Sequence, residues 1–346
     1  MIKEYTESSL LFLVSRFIVA CFAVAGNSII VLTILRSPRM CSRAYNILIA
    51  QLAASDMVIG LGLFVRVIFT IFHLFQHMDT DYSEVYCVTV ASISVIGIQM
   101  SQMSILVIAI DRFTAIKWPV KYKQKDPFWY PLKCSITCVL TACLGVGVLF
   151  IRVDSNKRIP VCTLSAHDIR GYSTYWIVFS FTVCFTIFAA YGCTMHLLNC
   201  ANEQQKRVES SREFARQKKV FLTITVVLIS YTICYIGPLI SLIFGLIFQA
   251  SDELLSVLVL IFGVASGFNA ASNILLYGWK YKELRIAMVR FVKGEGNSRD
   301  HNRNDGTTCL DSRHASTRRK PTMTLTSSND RVMNLTFSPA EGDVLL

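Results

Sequence analysis

Three charged positions stand inside or at the ends of long uncharged stretches, and the chemistry open to them is electrostatic rather than covalent. Asp111-Arg112-Phe113 closes the uncharged run 85–110, downstream of Cys87. Neighbouring residues on a helix cannot form the i,i+4 surface pair. The Asp111 carboxylate can nevertheless hold the Arg112 guanidinium from the side through charge-assisted hydrogen bonds, which makes a latch that can be opened. The plainer alternative is two solvated charges at a helix end. Asp56 and Arg66 interrupt the apolar segment 45–74. A carboxylate in such a segment must be paired, hydrated or protonated, because an exposed charge in hydrocarbon costs about 3 kcal/mol or more. A lone guanidinium there suits an anionic head group such as a carboxylate, or else it extends to the nearest polar boundary with no ligand. Of the six histidines only His196 lies in a fully uncharged run, and no metal-ligand spacing is present, so an enzyme is not expected.

The elements that must carry these residues are the apolar runs themselves. The uncharged stretches are 17–35, 85–110, 134–151, 171–202, 220–251 and 254–279, and 45–74 adds a seventh with its two charges. Each meets or approaches the roughly 20 residues needed to cross hydrocarbon as a helix. At 53% hydrophobic and 16% charged, with a mean hydropathy of +0.48, the chain reads as lipid-embedded. The fold class expected is an all-α membrane protein, a bundle of seven transmembrane helices. Residues 1–9 form an N-terminal segment, 10–293 the helical domain and 294–346 a polar, Ser/Thr-rich tail expected to be disordered. The first run lacks a small-residue cleavage site, which argues against a removable signal peptide. Beyond the seventh run, residues 279–292 alternate basic and apolar residues as a short amphipathic helix on the inner leaflet would.

An odd number of spans puts the two ends on opposite sides, and charge chooses between them. Arg36, Arg39 and Arg43 follow the first span, Lys117, Lys121, Lys123 and Lys125 the third, and a cluster from Lys206 to Lys219 the fifth. By the positive-inside rule those connections are cytoplasmic, so the N-terminus is outside and the C-terminus inside. Arg152, Lys157, Arg158 and Arg170 in the second outer loop dilute this pattern. The net charge of +11 then reflects that bias together with cationic segments facing anionic lipid, and gives no reason to expect nucleic acid as a partner. Of the twelve cysteines, Cys21, Cys138, Cys143, Cys184, Cys193 and Cys234 sit inside apolar runs as small buried residues, whereas Cys87, at the outer start of the third span, and Cys162, in the second outer loop, face an oxidising compartment at places that could meet. A disulfide between them is expected, two free thiols being the alternative.

In order along the chain, Gly26-Asn27, Leu52-Ala53-Ala54-Ser55-Asp56, Cys87, Asp111-Arg112-Phe113, Trp118-Pro119 with Tyr122, Pro238, and Asn273-Ile274-Leu275-Leu276-Tyr277 carry a resemblance to the rhodopsin-like G-protein-coupled receptors. There are departures. Helices four and five lack the usual Trp and Pro, Tyr235-Ile236-Gly237 stands where Cys-Trp-x is usual, and Ile274 replaces a Pro. With Pro119-x-x-Tyr122 and the run Tyr281-Lys282-Glu283-Leu284-Arg285, these make the chain similar to the divergent nematode serpentine chemoreceptors of class sx.

The resemblance implies a plasma-membrane receptor with a small extracellular ligand, a heterotrimeric G-protein inside, and arrestin and a receptor kinase acting on the tail. A neuropeptide-type receptor is the alternative; a transporter fits less well, since the two halves show no internal repeat. It further implies that Arg112 is released on activation to meet the G-protein while Tyr277 swings inward. Pro238, with Gly237 beside it, would be the hinge of helix six. Lys218 occupies the place where many members carry a second, lock-forming acid, so the resting state should be held less tightly. Around Asp56 the family positions place Asn27, Ser101, Asn269 and Asn273. Asp56, Ser101, Asn269 and Asn273 form an oxygen-rich set for a sodium ion, or alternatively a hydrated network tying helices together; no other cofactor is expected. Ser94 stands where an amine receptor carries Asp, and the seventh run has no Lys for a Schiff base, so amines and retinal are set aside. The implied ligand pocket lies between Ser94, Gly97, Ile98, Leu239, Ile240, Ile243, Gly263 and Gly267, with Arg66 facing an acidic group. Tyr231 or Tyr235 would sense the ligand in place of the missing aromatic toggle, or simply pack.

Overall fold

The computed structural model describes residues 10–75, 82–151, 153–159, 162, 169–205, 225–226 and 228–293. The N-terminal segment, the tail from residue 294, and Lys218 lie outside the described residues. The main helices are α1 (Leu10–Arg36), α2 (Ala44–Phe75), α3 (Glu84–Lys117), α4 (Trp129–Leu149), α5 (Ile169–Gln205), α6 (Leu228–Ile247), α7 (Asp252–Lys280) and α8 (Lys282–Val292). The first seven are each long and apolar enough to cross a membrane.

Local chemistry sets several boundaries. Ser37 and Trp118 each precede a proline, whose ring disfavours the helical conformation of the residue before it. Both are accordingly non-helical, Ser37 at φ −101° and ψ 105°, Trp118 at φ −131° and ψ 67°. Single helical turns, Pro38–Cys41 and Pro119–Lys123, follow. At the start of α7 the Ser251 hydroxyl accepts a hydrogen bond from the Leu254 amide at 3.3 Å, satisfying one of the orphan donors of that terminus. Pro238 cannot donate to the helical ladder. The turn just before it, Thr232–Ile236, is wound as a π-helix, which absorbs the missing bond inside α6.

α3 runs through the centre of the bundle against α2, α4 and α5, while α7 closes the circle against α1, α2 and α6. The α2–α3 contact is close because glycine faces backbone from both sides. A Cβ on Gly97 would lie 2.6 Å from the Ile59 nitrogen, and one on Gly62 would lie 2.8 Å from the Ser94 nitrogen. Small residues permit such approach where hydrophobic burial does not drive helices together. Outward faces are apolar: Phe22, Leu144, Phe185 and Leu275 are each more than 60% exposed, as expected of surfaces bathed in lipid. α8 buries Leu284 and Met288, one helical turn apart, and turns Lys282, Glu283 and Arg285 outward.

One feature departs from the all-helical expectation. Tyr82–Ser83 and Arg158–Ile159, separated in the chain by α3 and α4, pair as a two-stranded antiparallel ladder at the N-terminal end of α3. Beside it Cys87 and Cys162 form the expected disulfide, with Cα atoms 5.5 Å apart. Strands of two residues leave no period for a sequence pattern to reveal.

Candidate functional site

Charged and polar residues gather at three depths along α3. At the C-terminal end of α3 Arg112 is 2% exposed and Asp111 fully buried. Arg112 Nε donates to Asp111 Oδ2 at 3.1 Å, and Nη2 donates to the same oxygen. Nη2 also donates to the Tyr122 hydroxyl at 3.0 Å, and that hydroxyl donates to Asp111 Oδ2 at 3.1 Å. Burial, and to a lesser degree Asp111, raises the pKa of Tyr122 despite the opposing pull of Arg112, so the phenol stays a donor. The Arg112 guanidinium also lies over the Tyr45 ring, 5.1 Å from its centroid, a cation–π contact. The proline-bounded turn after α3 is what swings Tyr122 back under the helix. Phe113, half-buried, makes an edge contact with Trp118 at 6.0 Å.

A second shell reaches α8. The Tyr281 hydroxyl donates to Asn46 Oδ1 at 2.9 Å and lies 3.0 Å from the Tyr45 hydroxyl, and Arg43 Nη1 donates to Tyr45 at 3.0 Å and to Glu283 Oε2 at 2.8 Å. Burial opposes the charge on Arg43, but its contacts with Tyr45 and Glu283 outweigh that and raise its pKa. Tyr45, Asn46 and Arg43 are residues that sequence reasoning passed over; a tyrosine two residues after an arginine at a helix start gives no sign of partners more than 200 positions away.

At mid-depth Asp56 is fully buried. Its Oδ1 accepts from the Ser101 hydroxyl at 2.7 Å, and its Oδ2 accepts from Asn273 Nδ2. Of the other three residues expected around a cation, two therefore bond Asp56 directly. The fourth, Asn269, turns its Oδ1 to the Ser230 hydroxyl at 3.1 Å and ties α7 to α6. Asn27 ties α1 to α7 by donating to the Ala270 carbonyl at 2.9 Å. The Asn273 Oδ1 and Asn27 Oδ1 atoms are buried without a hydrogen-bond partner among the described residues. Tyr277, 1% exposed, packs in the core below this band.

Toward the N-terminal end of α3 a small cavity is lined by Arg66, Ser94 and Gly263, three of the residues expected at the ligand site. Arg66 is 5% exposed and does not extend to the surface; Nη2 donates to the Cys162 carbonyl, next to the disulfide. The other expected lining residues lie elsewhere. Gly97 and Gly267 are filled by neighbouring helices, since a Cβ on Gly267 would lie 3.1 Å from Val19 Cγ1. Ile98 and Leu239 are core residues, and Ile243 packs against the core from its edge. Ile240 is 45% exposed on the lipid face of α6, one position and hence about 100° round from buried Leu239. Tyr231 and Tyr235 stack at 4.6 Å, and Tyr235 meets Phe262 edge-on at 5.6 Å, an aromatic pile at the π turn joining α6 to α7.

The cavity also contains a residue that the sequence reading missed. Arg16 of α1, 2% exposed, lines it from the far side. Its signal was present: Arg16 sits within an otherwise apolar stretch extending back to Leu10, but counting strictly uncharged runs from Phe17 places it outside the span.

Comparison with known proteins agrees with this arrangement. Residues 26–277 match the model of the 7 transmembrane receptor (rhodopsin family). The chain is 22% identical over 306 residues to somatostatin receptor type 1 of Rattus norvegicus, covering 84% of this chain and 74% of that receptor. It is 24% identical over 279 residues to the histamine H2 receptor of Homo sapiens (76% and 74% covered). With the melatonin receptor type 1B of Mus musculus the identity is 22% over 299 residues (83% and 79%).

Proposed function

Because the chain belongs to the rhodopsin family of seven-transmembrane receptors, we propose that it is a chemosensory receptor of the plasma membrane, with its N-terminus outside, which takes a small extracellular ligand and activates a heterotrimeric G-protein. The observation that carries this reading is the separation of two buried polar sites along one helix. Ser94 at the cavity and Arg112 at the inner latch are 18 residues apart on α3, about 27 Å at the helical rise. A ligand at one end and a protein at the other can communicate only by biasing the packing between them.

The cavity supports a small, acidic ligand, with Arg66 as the anchor for its anionic group. Likeness to a histamine receptor does not bring an amine with it, because Ser94 offers no carboxylate and arginine lines the cavity. The Asp56 oxygens, the Ser101 hydroxyl and the partnerless Asn273 Oδ1 fit a sodium ion, a hard cation that takes oxygen ligands; bound there it would neutralise the carboxylate and tie α2, α3 and α7 together. The Ser/Thr-rich tail suits phosphorylation by a receptor kinase and capture by arrestin.

The test is G-protein activation in cells expressing the full chain against a panel of small acids, odorants and short peptides. Arg112→Ala should reach the cell surface and lose signalling; full signalling by that variant would remove the proposed route to the G-protein.

A further inference from the structure

Near its C-terminal end, α5 brings together two side chains that the receptor reading leaves unused. His196 and Cys200 are four residues apart on this helix, the spacing that sets two side chains one above the other on one face. The Cys200 thiol is free, its Sγ lies 3.8 Å from His196 Nε2, and both side chains are exposed. Two ligands of one tetrahedral zinc ion, with Zn–S about 2.3 Å and Zn–N about 2.05 Å, stand roughly 3.6 Å apart. The pair therefore needs no backbone movement to share an ion. Two histidines at this same spacing on a helix hold the zinc of metalloproteases. Counting histidines alone hides the pair in the sequence, because its second ligand is a sulfur.

A thiolate beside an imidazole suits zinc and copper, whereas magnesium and calcium take oxygen. The apolar span of α5 ends at Cys200, where Asn199 and Asn202 mark the return to polar sequence. In the proposed orientation this end faces the cytosol, where thiols stay reduced and a cysteine is open to a metal rather than to a disulfide. Among the described residues no group of three potential ligands comes together. An ion held by this pair keeps positions open to water, and such a site exchanges its metal where a closed structural centre does not.

We propose that His196 and Cys200 form an exchangeable two-ligand zinc site at the C-terminal end of the α5 span. The ion bridges consecutive turns and holds the helix wound where it leaves the span. Binding releases the thiol proton to solvent, so the affinity falls as the pH is lowered.

The experiment uses the full-length protein in lipid nanodiscs, reduced with a phosphine. Zinc is titrated from a metal buffer, and alkylation of each cysteine by iodoacetamide is followed by peptide mass mapping. Zinc should slow alkylation of Cys200, about tenfold at ten times the half-protecting concentration, since only unoccupied sites react. Cys193, expected to be buried but exposed, is a free thiol seven residues earlier and hence about 10 Å away along the axis. It should react at the same rate with and without zinc. Magnesium should protect neither thiol. His196→Ala, a change at an exposed position, should raise the half-protecting zinc concentration at least about tenfold, no less than the loss of an outer partner costs a metal site. With cobalt in place of zinc, a thiolate-to-metal absorption band should appear in the native protein and weaken in both His196→Ala and Cys200→Ser. Absence of zinc protection at Cys200, undiminished protection in His196→Ala, or equal protection of Cys193 would each overturn the proposal. None of these readouts uses a G-protein, so the receptor reading stands or falls separately.

Discussion

Arg112 is held by three aromatic or acidic neighbours, and their unequal chemistry says which one can be removed without unfolding the protein. Asp111 supplies the charge; deleting it leaves a buried guanidinium without its carboxylate. Tyr122 supplies one hydroxyl that both accepts from Arg112 and donates to Asp111. Tyr122→Phe keeps the ring and its packing and should loosen the latch by about 1 kcal/mol, raising the active population and basal G-protein activation about fivefold. Basal activity at matched surface expression is the measurement, and an unchanged or lowered value would contradict the latch. The Asp111–Arg112 pair was legible from residue types at the end of an apolar run. The role of Tyr45 was not, because a cation–π contact between helices has no local signature. Arg16 shows a different blind spot: a single buried charge inside a membrane helix is hidden when spans are defined by the lack of charge.

Among the elements, α2 and α3 come into backbone contact at glycines, in addition to the side-chain hydrogen bond between Asp56 and Ser101. Gly97→Ala would drive a methyl group into the backbone of α2 at Ile59, which cannot rotate out of the way. The expected penalty is about 1–3 kcal/mol, read as a lowered unfolding midpoint of the solubilised protein. A midpoint equal to that of the native protein would mean the two helices are free to separate. Sequence alone suggests a pocket at Gly97, since a glycine at that depth reads equally as open space and as close contact; only the partner helix decides. The seven spans themselves were legible because hydrocarbon thickness sets their length directly. The π turn in α6 was half legible: Pro238 announces a defect, but whether a helix kinks or takes an extra residue depends on what packs beside it. Here Tyr231, Tyr235 and Phe262 fill the space on the inner side. A residue position carried over from a straight helix across that turn would land about 100° round the axis.

For the whole molecule, the disulfide between Cys87 and Cys162 fastens the segment of the second strand to the N-terminal end of the central helix. Removing it should cost about 2–5 kcal/mol and depress surface expression. Because the two sulfurs share one bond, Cys87→Ser, Cys162→Ser and the double variant should lose the same amount; additive losses, read from the unfolding midpoints, would show that the cysteines act separately. The pairing was legible from position, whereas the strand pairing and the Arg66 bond to the Cys162 carbonyl were not, since both depend on where the segment around Cys162 folds back. In the proposed orientation Arg66 lies within the span of α2, reached from outside, and a cell keeps its interior electrically negative. An acidic ligand reaching Arg66, as proposed, must therefore move part of the way against the membrane potential. For one negative charge crossing about a quarter of the field, 100 mV opposes binding by about 0.6 kcal/mol, about threefold in affinity. A cell that depolarises would thus become more sensitive to the same concentration of ligand, a dependence that voltage-clamped dose–response curves would reveal.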